Sequence, residues 1–496
     1  MSHHNTTIES AMALYRAEQV RSMDRFAIDR LQIAGLELMH RAGREAFRML
    51  EQMVPDRPLS IVILCGAGNN AGDGYVVARL ALDAGHAVRV QALISPDSLR
   101  GDAATAYHEF VEQGGEASEF QGSLALPCDV LVDAMLGTGL DREVSGRFYD
   151  AIKQINCFTG PVLALDIPSG LNADSGFPMG IAVRADRTVT FIGRKQGLYT
   201  GVGVDYSGAV TFASLDVPDE VIRREPPASY LLASPRHLFG ARRRSSHKGD
   251  FGHLLVVGGE AGFSGAVRLA AQAGARVGAG LISLATRSIH APFSNLVQPE
   301  LMCHGIESGP ALQDLLNQAN AVAIGPGLGQ GDWGKSLFEA VRDSGLNTVV
   351  DADALNLLAR APNRRENWVL TPHPGEAARL LASDTLTIRR DRFAAVAAIQ
   401  QKYGGVCVLK GAGSLIADGK TIAVCPTGNP GMASGGMGDL LTGIIAGLIA
   451  QGFSPGEAAR AGVYLHGEAG DLAARNGERG MLASDLLATL RDLVNP

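Results

Sequence analysis

The sequence predicts an α/β protein with two domains, each built around a parallel sheet. The chain has 496 residues, which is too long for one ordinary hydrophobic core. In both halves, short apolar runs alternate with segments of helical periodicity, a pattern typical of parallel sheets covered by helices on both faces. Prolines and a short arginine run interrupt this pattern around residues 218–250. We therefore expect one domain over residues 1–226 and a second over residues 227–496.

The first half begins with helices and continues with strands. Residues 11–50 carry apolar side chains at helical spacing in a charged background, which predicts two amphipathic helices. The predicted strands that follow are Ile61–Cys65, Val88–Val90, Val130–Val132, Val162–Leu165 and Thr188–Ile192. The helices could mediate self-association, and a homo-oligomer is the expected assembly. Helices packed on their own domain would show the same pattern.

The second half shows another alternating series. Its predicted strands are Leu254–Val257, Leu281–Leu284, Ala321–Ile324, Thr348–Val350, Trp368–Leu370 and Val406–Leu409. No sequence repeat relates the two halves, so they are expected to be different domains and not a duplication. Because α/β sheets bind ligands beyond the carboxyl ends of their strands, the loops at those ends are the candidate sites.

Composition and charge restrict the class of protein. The chain is 46% hydrophobic and 19% charged, with 61 glycines, as expected for a soluble globular protein with many tight turns. Its net charge of -7 argues against a nucleic-acid partner. Six scattered cysteines form no C-x-x-C pair, and neither residues 1–10 nor any later segment predicts a leader or a membrane span. We expect a cytoplasmic protein without a membrane partner.

The segment Asn429–Asp439 is the strongest candidate for reactive chemistry. Its glycines permit close approach to a ligand, and the apolar run Leu440–Leu448 predicts a helix whose N-terminus would attract an anion. A carboxylate beside a phosphate is unfavourable unless it binds a metal or takes a proton from a hydroxyl. Asp439 therefore suggests phosphate chemistry. The alternative is a glycine-rich turn before a buried helix.

Three loops of the first half carry acidic residues at predicted strand ends. They are Gly66–Gly74, Asp133–Leu140 and Asp166–Leu171, and parallel topology can bring them to one crevice. Their aspartates, Asp73, Asp133 and Asp166, could bind a cation together with Asn70 and Ser169, or one could act as acid and base. Each aspartate alone could simply cap the turn that follows it. Their shared location favours a site.

The second half has further polar strand ends. Glycine-rich loops at Gly258–Ala266 and Gly325–Gly329 permit close backbone approach but would also suit plain turns. His373 lies between two prolines that fix its loop, which favours a contact to substrate over a purely structural role. Lys410–Ser414 offers a cation and backbone donors suited to nucleotide phosphates. It is not a Walker A loop, because the order G-x-x-x-x-G-K-[ST] is absent.

The first half resembles a known family through three strings: GNNAGDGYVVARL (68–80), VDAMLGTGL (132–140) and LDIPSGLNADSG (165–176). They resemble the N-terminal epimerase domain of bifunctional NAD(P)H-hydrate repair enzymes. The resemblance implies a Rossmann-like fold, a substrate of NADH or NADPH hydrated at nicotinamide C6, and a K⁺ ion held by Asn70, Asp133 and Ser169. Asp166 is the candidate acid and base, with Asp133 as the alternative. The implied substrate contacts are Asn69, Asn70, Ala71, Gly72, Asp73, Gly137, Thr138, Gly139, Leu140, Asp141, Arg142, Glu143 and Asp166.

The second half resembles the dehydratase domain of the same family and, more remotely, the ribokinase-like family. By position, the resemblance implies substrate contacts at Ala266, Gly327, His373 and Asp439. The implied nucleotide contacts are Lys410, Gly411, Ala412, Gly413, Ser414 and Gly438. Many relatives carry threonine in place of Ser414, which keeps the hydroxyl. Met437 replaces a serine or threonine and removes a polar contact while leaving the backbone loop intact.

The chemistry implied for the second half is coherent. Asp439 would deprotonate the C6 hydroxyl for attack on a nucleotide phosphorus, and the nicotinamide nitrogen would then expel phosphate and restore the reduced cofactor. The fusion of both domains resembles bacterial members, which use ADP, and Mg²⁺ is expected to offset the phosphate charge. The rivals are a small-molecule kinase, which the first half disfavours, and a non-catalytic nucleotide-binding protein, which leaves Asp166 and Asp439 unexplained.

Overall fold

A computed structural model of the protein describes residues 12–55, 58–296 and 298–495. The chain divides into two compact units, Ala13–Ser229 and residues 230–495, the latter together with Met12. Each unit is built on its own sheet covered by helices, so the predicted α/β class is confirmed. The boundary predicted between residues 226 and 227 stays a prediction. The expectation that residues 1–10 form no leader lies outside the described residues.

The first unit contains the elements that follow, in chain order. The strands are β1 Met12–Leu14, whose first residue is grouped with the second unit, β2 Ser60–Cys65, β3 Ala87–Ala92, β4 Ala117–Glu119, β5 Val130–Ala134, β6 Val162–Leu165, β7 Arg187–Phe191 and β8 Ala209–Ala213. The helices are α1 Ala17–Asp29, α2 Gly35–Met53, α3 Asn69–Asp83, α4 Gly101–Glu112, α5 Gly146–Ile155, α6 Gly203–Ser207 and α7 Asp219–Arg223. Its seven-stranded sheet has the order β4-β3-β2-β5-β6-β7-β8, with every neighbouring pair parallel.

Strand β2 shows why this sheet is covered on both faces. Its side chains alternate between two cores, as the period of two of a strand requires. Ile61 and Ile63 pack in the core that contains helices α2, α3 and α4, whereas Val62 and Leu64 pack in the core that contains α5. Because β2, β5, β6 and β7 are parallel neighbours, their carboxyl ends lie at one edge of the sheet. A loop with candidate site residues follows each of these strands.

The second unit contains a larger set of elements. The strands are β9 Ser229–Leu231, β10 His253–Val257, β11 Leu281–Thr286, β12 Met302–Gly305, β13 Ala321–Ile324, β14 Asn347–Val350, β15 Trp368–Leu370, β16 Val406–Leu409, β17 Leu415–Ala417 and β18 Ile422–Val424. The helices are α8 Ser264–Arg276, α9 Ala291–Ser294, α10 Gln313–Leu316, α11 Asp332–Asp343, α12 Ala352–Arg360, α13 Pro374–Leu381, α14 Thr385–Arg390, α15 Arg392–Tyr403, α16 Met437–Ala450, α17 Pro455–Ala473 and α18 Ala483–Leu493.

The sheet of the second unit is mostly parallel. Its strands follow the order β9-β18-β17-β16-β15-β14-β13-β10-β11-β12. Strands β17 and β18 form an antiparallel hairpin beside β16, which the purely parallel expectation did not include. The reason is local: Ser414 ends a tight turn after β16, so the chain reverses at once without a crossover helix.

Helix α16 is the centre of the second core. Twelve of its fourteen residues are buried, so it is apolar all round. It lies very close to α8, because a Cβ atom added at Gly443 would stand 1.9 Å from the Ala270 carbonyl oxygen. No helix among the described residues has the length and apolar character needed to cross a membrane.

Candidate functional site

A cavity of about 620 Å³ lies at the carboxyl edge of the first sheet. It is bordered by the loops after β2, β5, β6 and β7, the strands whose ends the parallel topology brings together. The predicted substrate contacts that line it are Asn69, Asn70, Asp73, Gly137, Thr138, Gly139, Leu140, Asp141, Arg142 and Asp166. Residues from three separate segments of the sequence thus share one cavity.

Three predicted contacts do not line this cavity. The predicted loop at 69–73 is the first turn and a half of helix α3, which begins at Asn69. Ala71 is fully buried, and Gly72 faces Met39, whose sulfur would lie 2.5 Å from an added Cβ atom. Glu143 is exposed and lies outside the lining. A helix turns successive residues by about 100°, so five consecutive residues cannot all face one cavity.

Asn70, Asp133 and Ser169 meet around the backbone of Leu136. The Ser169 hydroxyl donates to Asp133 Oδ1 at 2.5 Å and the Ser169 amide donates to Asp133 Oδ2 at 2.7 Å. The Asn70 amide nitrogen donates to the Leu136 carbonyl at 3.2 Å, which leaves the Asn70 Oδ1 atom buried and without a partner. Burial raises the pKa of Asp133 to about 6, although hydrogen bonds from Ser169 and Met135 oppose the shift. A buried carboxylate beside an unsatisfied amide oxygen is suited to a cation.

Asp166 forms a buried ion pair that the sequence prediction missed. Its Oδ1 atom accepts from the Lys195 ammonium and, at 3.2 Å, from the Phe191 amide. The Lys195 ammonium also donates to the Phe191 carbonyl at 2.9 Å, and its side chain is only 1% exposed. Asp166 has a positive φ of 64°, a conformation unfavourable for a residue with a side chain. The strain and the ion pair together fix the carboxylate at the cavity.

Two further carboxyl groups face the same lysine. Burial raises the pKa of Asp73 well above its usual value, and the negative charges of Asp166 and Asp24 add to this shift. Burial likewise raises the pKa of Asp24 to about 6, with Lys195 opposing and Asp166 reinforcing it. The cavity therefore holds two carboxyl groups whose pKa burial raises, beside the Asp166 carboxylate that Lys195 contacts, and carboxyl groups in such different environments are suited to acid and base catalysis.

In the second unit, the predicted residues follow neighbouring parallel strands. The loops after β10, β13, β14, β15 and β16 leave the same edge of the sheet. Close contacts join them: a Cβ atom added at Gly325 would lie 1.9 Å from the Asp351 carbonyl oxygen. One added at Gly438 would lie 3.2 Å from Lys410 Nζ and 3.7 Å from Asp351 Oδ2. The loop before α16 therefore lies against the ends of β14 and β16.

Lys410 is the centre of a charged cluster at this edge. Its ammonium contacts Asp351 Oδ1 at 2.7 Å and Glu376 Oε2 at 3.8 Å. Thr442 Oγ1 donates to the other Asp351 oxygen at 2.8 Å. Burial alone would lower the pKa of Lys410, but the two carboxylates outweigh it and raise this pKa. Lys410 thus carries a positive charge held by two carboxylates at predicted strand ends, although the sequence did not predict that these carboxylates pair with Lys410.

Asp439 lies in the first turn of α16, beside this cluster. Gly436 precedes the helix with φ of 91°, a conformation that favours glycine. Burial raises the pKa of Asp439 to about 7, the charge of Asp351 adds to the shift, and Lys410 opposes it. A carboxyl group with this pKa can accept a proton near neutral pH and is therefore equipped to act as a general base.

His373 caps helix α13 and has a half-exposed side chain. Its Nδ1 atom accepts from the Gly375 amide at 3.0 Å, and its own amide donates to Glu376 Oε2 at 2.8 Å, which caps helix α13. Its Nε2 atom lies 3.4 Å from Glu376 Oε1 in a side chain that is 51% exposed. Burial and the charges of Lys410 and Arg379 lower the pKa of His373. The lowered pKa favours the neutral imidazole, and about half of this side chain is open to solvent.

The remaining predicted contacts occupy two glycine-containing turns. In the turn 410–414, the Ser414 hydroxyl donates to the Gly411 carbonyl at 2.9 Å, and the buried Arg392 donates to the Lys410 carbonyl at 3.3 Å. Gly327 has φ of 56°, and a Cβ atom there would lie 3.5 Å from the Ala266 Cβ and 2.8 Å from that of Phe263. Phe263 is 62% exposed beside the predicted contacts Ala266 and Gly327.

Two family models match the chain. The model described as NAD(P)H-hydrate dehydratase matches residues 254–492, and the model described as YjeF-related protein N-terminus matches residues 35–197. Each match covers the strand ends of one candidate site. The two-part organisation expected from the sequence therefore has a counterpart in known families.

Several known proteins are similar to the chain. It is 47% identical to the bifunctional NAD(P)H-hydrate repair enzyme Nnr of Coxiella burnetii over 487 residues, covering 97% of this chain and 99% of that protein. The protein of the same name from Escherichia coli is 44% identical, covering 97% and 94%. The solved ADP/ATP-dependent NAD(P)H-hydrate dehydratase from Bacillus subtilis, co-crystallized with ATP and Mg²⁺, is 28% identical, with a TM-score of 0.47 over 52% of this chain and 94% of that chain. The full-length matches show that this chain belongs to the family of bifunctional NAD(P)H-hydrate repair enzymes.

Proposed function

We propose that this protein repairs hydrated NADH and NADPH through two reactions. The first unit interconverts the R and S forms of the hydrate at nicotinamide C6. The second unit dehydrates the S form and converts ADP to AMP and phosphate. The observation that carries the proposal is the 47% identity to a repair enzyme over 97% of the chain. The acid and base groups in each unit supply a physical basis for it.

Asp166 is the acid and base of the proposed epimerisation. The hydrated carbon carries a hydroxyl and is bonded to the ring nitrogen. Removal of the hydroxyl proton by a carboxylate allows the bond between C6 and the nitrogen to break, which gives an aldehyde and a ring-opened amine. Rotation and reclosure return the proton and yield the other epimer. Lys195 positions Asp166 through their ion pair, and Asp73, with its raised pKa, is suited to donate a proton.

A K⁺ ion fits the first unit. Asn70 Oδ1, the Asp133 carboxylate and the Ser169 hydroxyl would hold it, and the unpartnered state of the buried Asn70 oxygen supports this proposal. When bound, the ion supplies a fixed positive charge beside the substrate loops. Oxygen ligands of this kind suit a hard cation.

Asp439 is the base of the proposed dehydration. It removes the C6 hydroxyl proton, the oxygen attacks the terminal phosphorus of ADP, and AMP leaves. The nitrogen lone pair then expels phosphate from C6, and loss of a proton from C5 gives the reduced nicotinamide. Lys410 and the turn 410–414 bind the nucleotide in this proposal. His373, Ala266 and Gly327 contact the hydrated ring.

Mg²⁺ accompanies the nucleotide in the proposed reaction. Among the described residues, no cluster of three His, Cys, Asp or Glu side chains is arranged to hold a metal ion. The ion would therefore be bound mainly by phosphate oxygens and water, as is common for Mg²⁺. It supplies charge neutralisation of the phosphates. The cytoplasmic location and the homo-oligomer stay predictions.

The decisive test is recovery of NADH absorbance from an epimer mixture of NADH hydrate, with ADP, ATP or no nucleotide. Full recovery with release of phosphate in the presence of ADP supports both reactions. The variant Asp166→Asn should stop recovery at the S fraction, whereas Asp439→Asn should abolish dehydration and spare epimerisation. A stoichiometric phosphorylated product without NADH would instead support the rival kinase. Loss of both activities in either folded variant would refute the two-site assignment.

A further inference from the structure

A polar groove in the second unit lies outside the proposed catalytic set. It encloses about 420 Å³ and is lined by Gln330, Asn356, Ala359, Arg360 and Arg379. The two arginines come from different helices, α12 and α13, and both are exposed. Two guanidinium groups that share one groove are suited to bind phosphate, because each can donate two parallel hydrogen bonds.

Amide groups, not carboxylates, hold these arginines. Arg360 donates to Gln330 Oε1 at 2.5 Å, and Arg379 donates through Nε to Asn356 Oδ1 at 2.7 Å. Asp353 in turn accepts from the Gln330 side-chain amide at 2.9 Å, which fixes that side of the groove. Among the described residues, no carboxylate forms an ion pair with Arg360 or Arg379. Their positive charges are therefore oriented but not neutralised by a direct partner.

The groove adjoins the residues proposed to contact the hydrated ring. Arg379 follows His373 by six residues along α13, about 9 Å further along the helix axis. Its charge contributes to the lowered pKa of His373, as expected at this range. On the other side, Gln330 follows Gly327 by three residues. A substrate that contacts His373 and Gly327 would thus extend beside the two arginines.

We propose that Arg360 and Arg379 bind a phosphate group of the dinucleotide substrate. The inference rests on the proposed function, since it assigns a part of the substrate to a groove next to the reacting ring. The phosphate has two sources. One is the pyrophosphate that hydrated NADH and NADPH share, and the other is the phosphate monoester that only the NADPH form carries.

The test compares Arg360→Gln, Arg379→Gln and the double variant with the control Arg364→Gln. Arg364 is an exposed arginine paired with Glu366 in the segment between α12 and β15. Measurements are KM for each S-form hydrate, KM for ADP, and Kd for NADH and NADPH from their fluorescence. Each groove variant should raise KM for the hydrate and Kd for the reduced dinucleotide about three- to tenfold, because the contacts are charge-assisted but partly screened. The KM for ADP and kcat should not change.

The two sources give different outcomes. A loss for both dinucleotides identifies the pyrophosphate, and a loss for the NADPH form alone identifies the monoester. Unchanged Kd for both dinucleotides, an equal loss in Arg364→Gln, or an equal rise of KM for ADP would overturn the proposal. If the wild-type protein fails to form NADH from its hydrate while dinucleotide binding still depends on the two arginines, the proposed function fails and the groove assignment stands. Thermal unfolding of each variant establishes that it is folded.

Discussion

Replacement of Asp439 by Asn tests the proposed base directly. Asparagine keeps the size of the side chain and removes its ability to accept a proton at neutral pH. General base catalysis contributes about 10²- to 10⁴-fold, so kcat for dehydration should fall by that range. The wild-type rate should itself follow ionisation of Asp439. With a pKa of about 7, the ionised fraction rises about tenfold between pH 6 and pH 8.

The raised pKa of Asp439 also affects the free energy of unfolding. Rising pH increases the predicted dehydration rate but lowers the contribution of Asp439 to stability. The folded pKa of Asp439 lies above the unfolded value of 3.8, so folding favours the protonated form. This contribution is complete below the unfolded pKa and is lost as pH rises through about 7. Asp439→Asn should therefore be more stable than the wild type at pH 8. We expect a difference of about 1–3 kcal/mol, which is less than the full pKa shift implies because neighbouring charged groups share the titration.

The assay is single-turnover formation of NADH from the S hydrate at saturating ADP, measured from pH 5.5 to pH 9. Urea unfolding at pH 5 and pH 8 gives the free energies of unfolding. The matched control is Asp343→Asn, at the exposed end of α11. It should change neither the single-turnover rate nor the pH dependence of the free energy of unfolding. A variant that keeps the wild-type rate, or a wild-type rate that is independent of pH, would refute the assignment of Asp439 as the base.

Three other predictions concern the ion pair, the cation and the core. Lys195→Met should lower the free energy of unfolding by about 3 kcal/mol in urea titration, because it leaves Asp166 without its buried partner; an additional Asp166→Asn should restore part of the loss. K⁺ should raise the thermal midpoint of the wild type more than equal concentrations of Na⁺, and Asn70→Ala should remove this difference; an unchanged difference would contradict the proposed ligand set. Gly443→Ala should destabilise the second unit by about 2 kcal/mol or more in calorimetry, because its Cβ atom would meet the Ala270 carbonyl oxygen; wild-type stability would show that the two helices can separate without cost.

The sheets were predictable because their central strands are short apolar runs. Five strand cores were identified in the first half and six in the second, and most of their residues are buried in the structure, Val88, Arg89 and Leu281 being partly buried. The strands that escaped prediction lie toward the sheet edges or in the hairpin, such as β4, with three residues, and β12, whose burial is partial. Edge strands bury less apolar surface than central strands. Their sequences therefore carry a weaker hydrophobic signal.

The sites were only partly predictable. Asp166 stands out because it follows an apolar run at a strand end, and Asp439 because it lies between a glycine-rich loop and the apolar run Leu440–Leu448. Asp24 gave no signal, because an acidic residue on an amphipathic helix normally faces water, whereas here it borders the cavity. Lys195 lies four residues beyond β7, but its partner is 29 residues earlier in the chain. Pairings of this kind depend on strand order, which periodicity does not reveal.

Helix α16 has a consequence for local opening of the second unit. The helix carries Asp439 in its first turn, and its remaining turns are buried on all sides. It cannot unwind while the surrounding core stays packed, so amide hydrogens of residues 441–450 should exchange only when the whole unit unfolds. The proposed base therefore belongs to a helix that is held in place by the core of its unit. A mutation that weakens this core would shorten the lifetime of the assembled catalytic site as much as that of the fold itself.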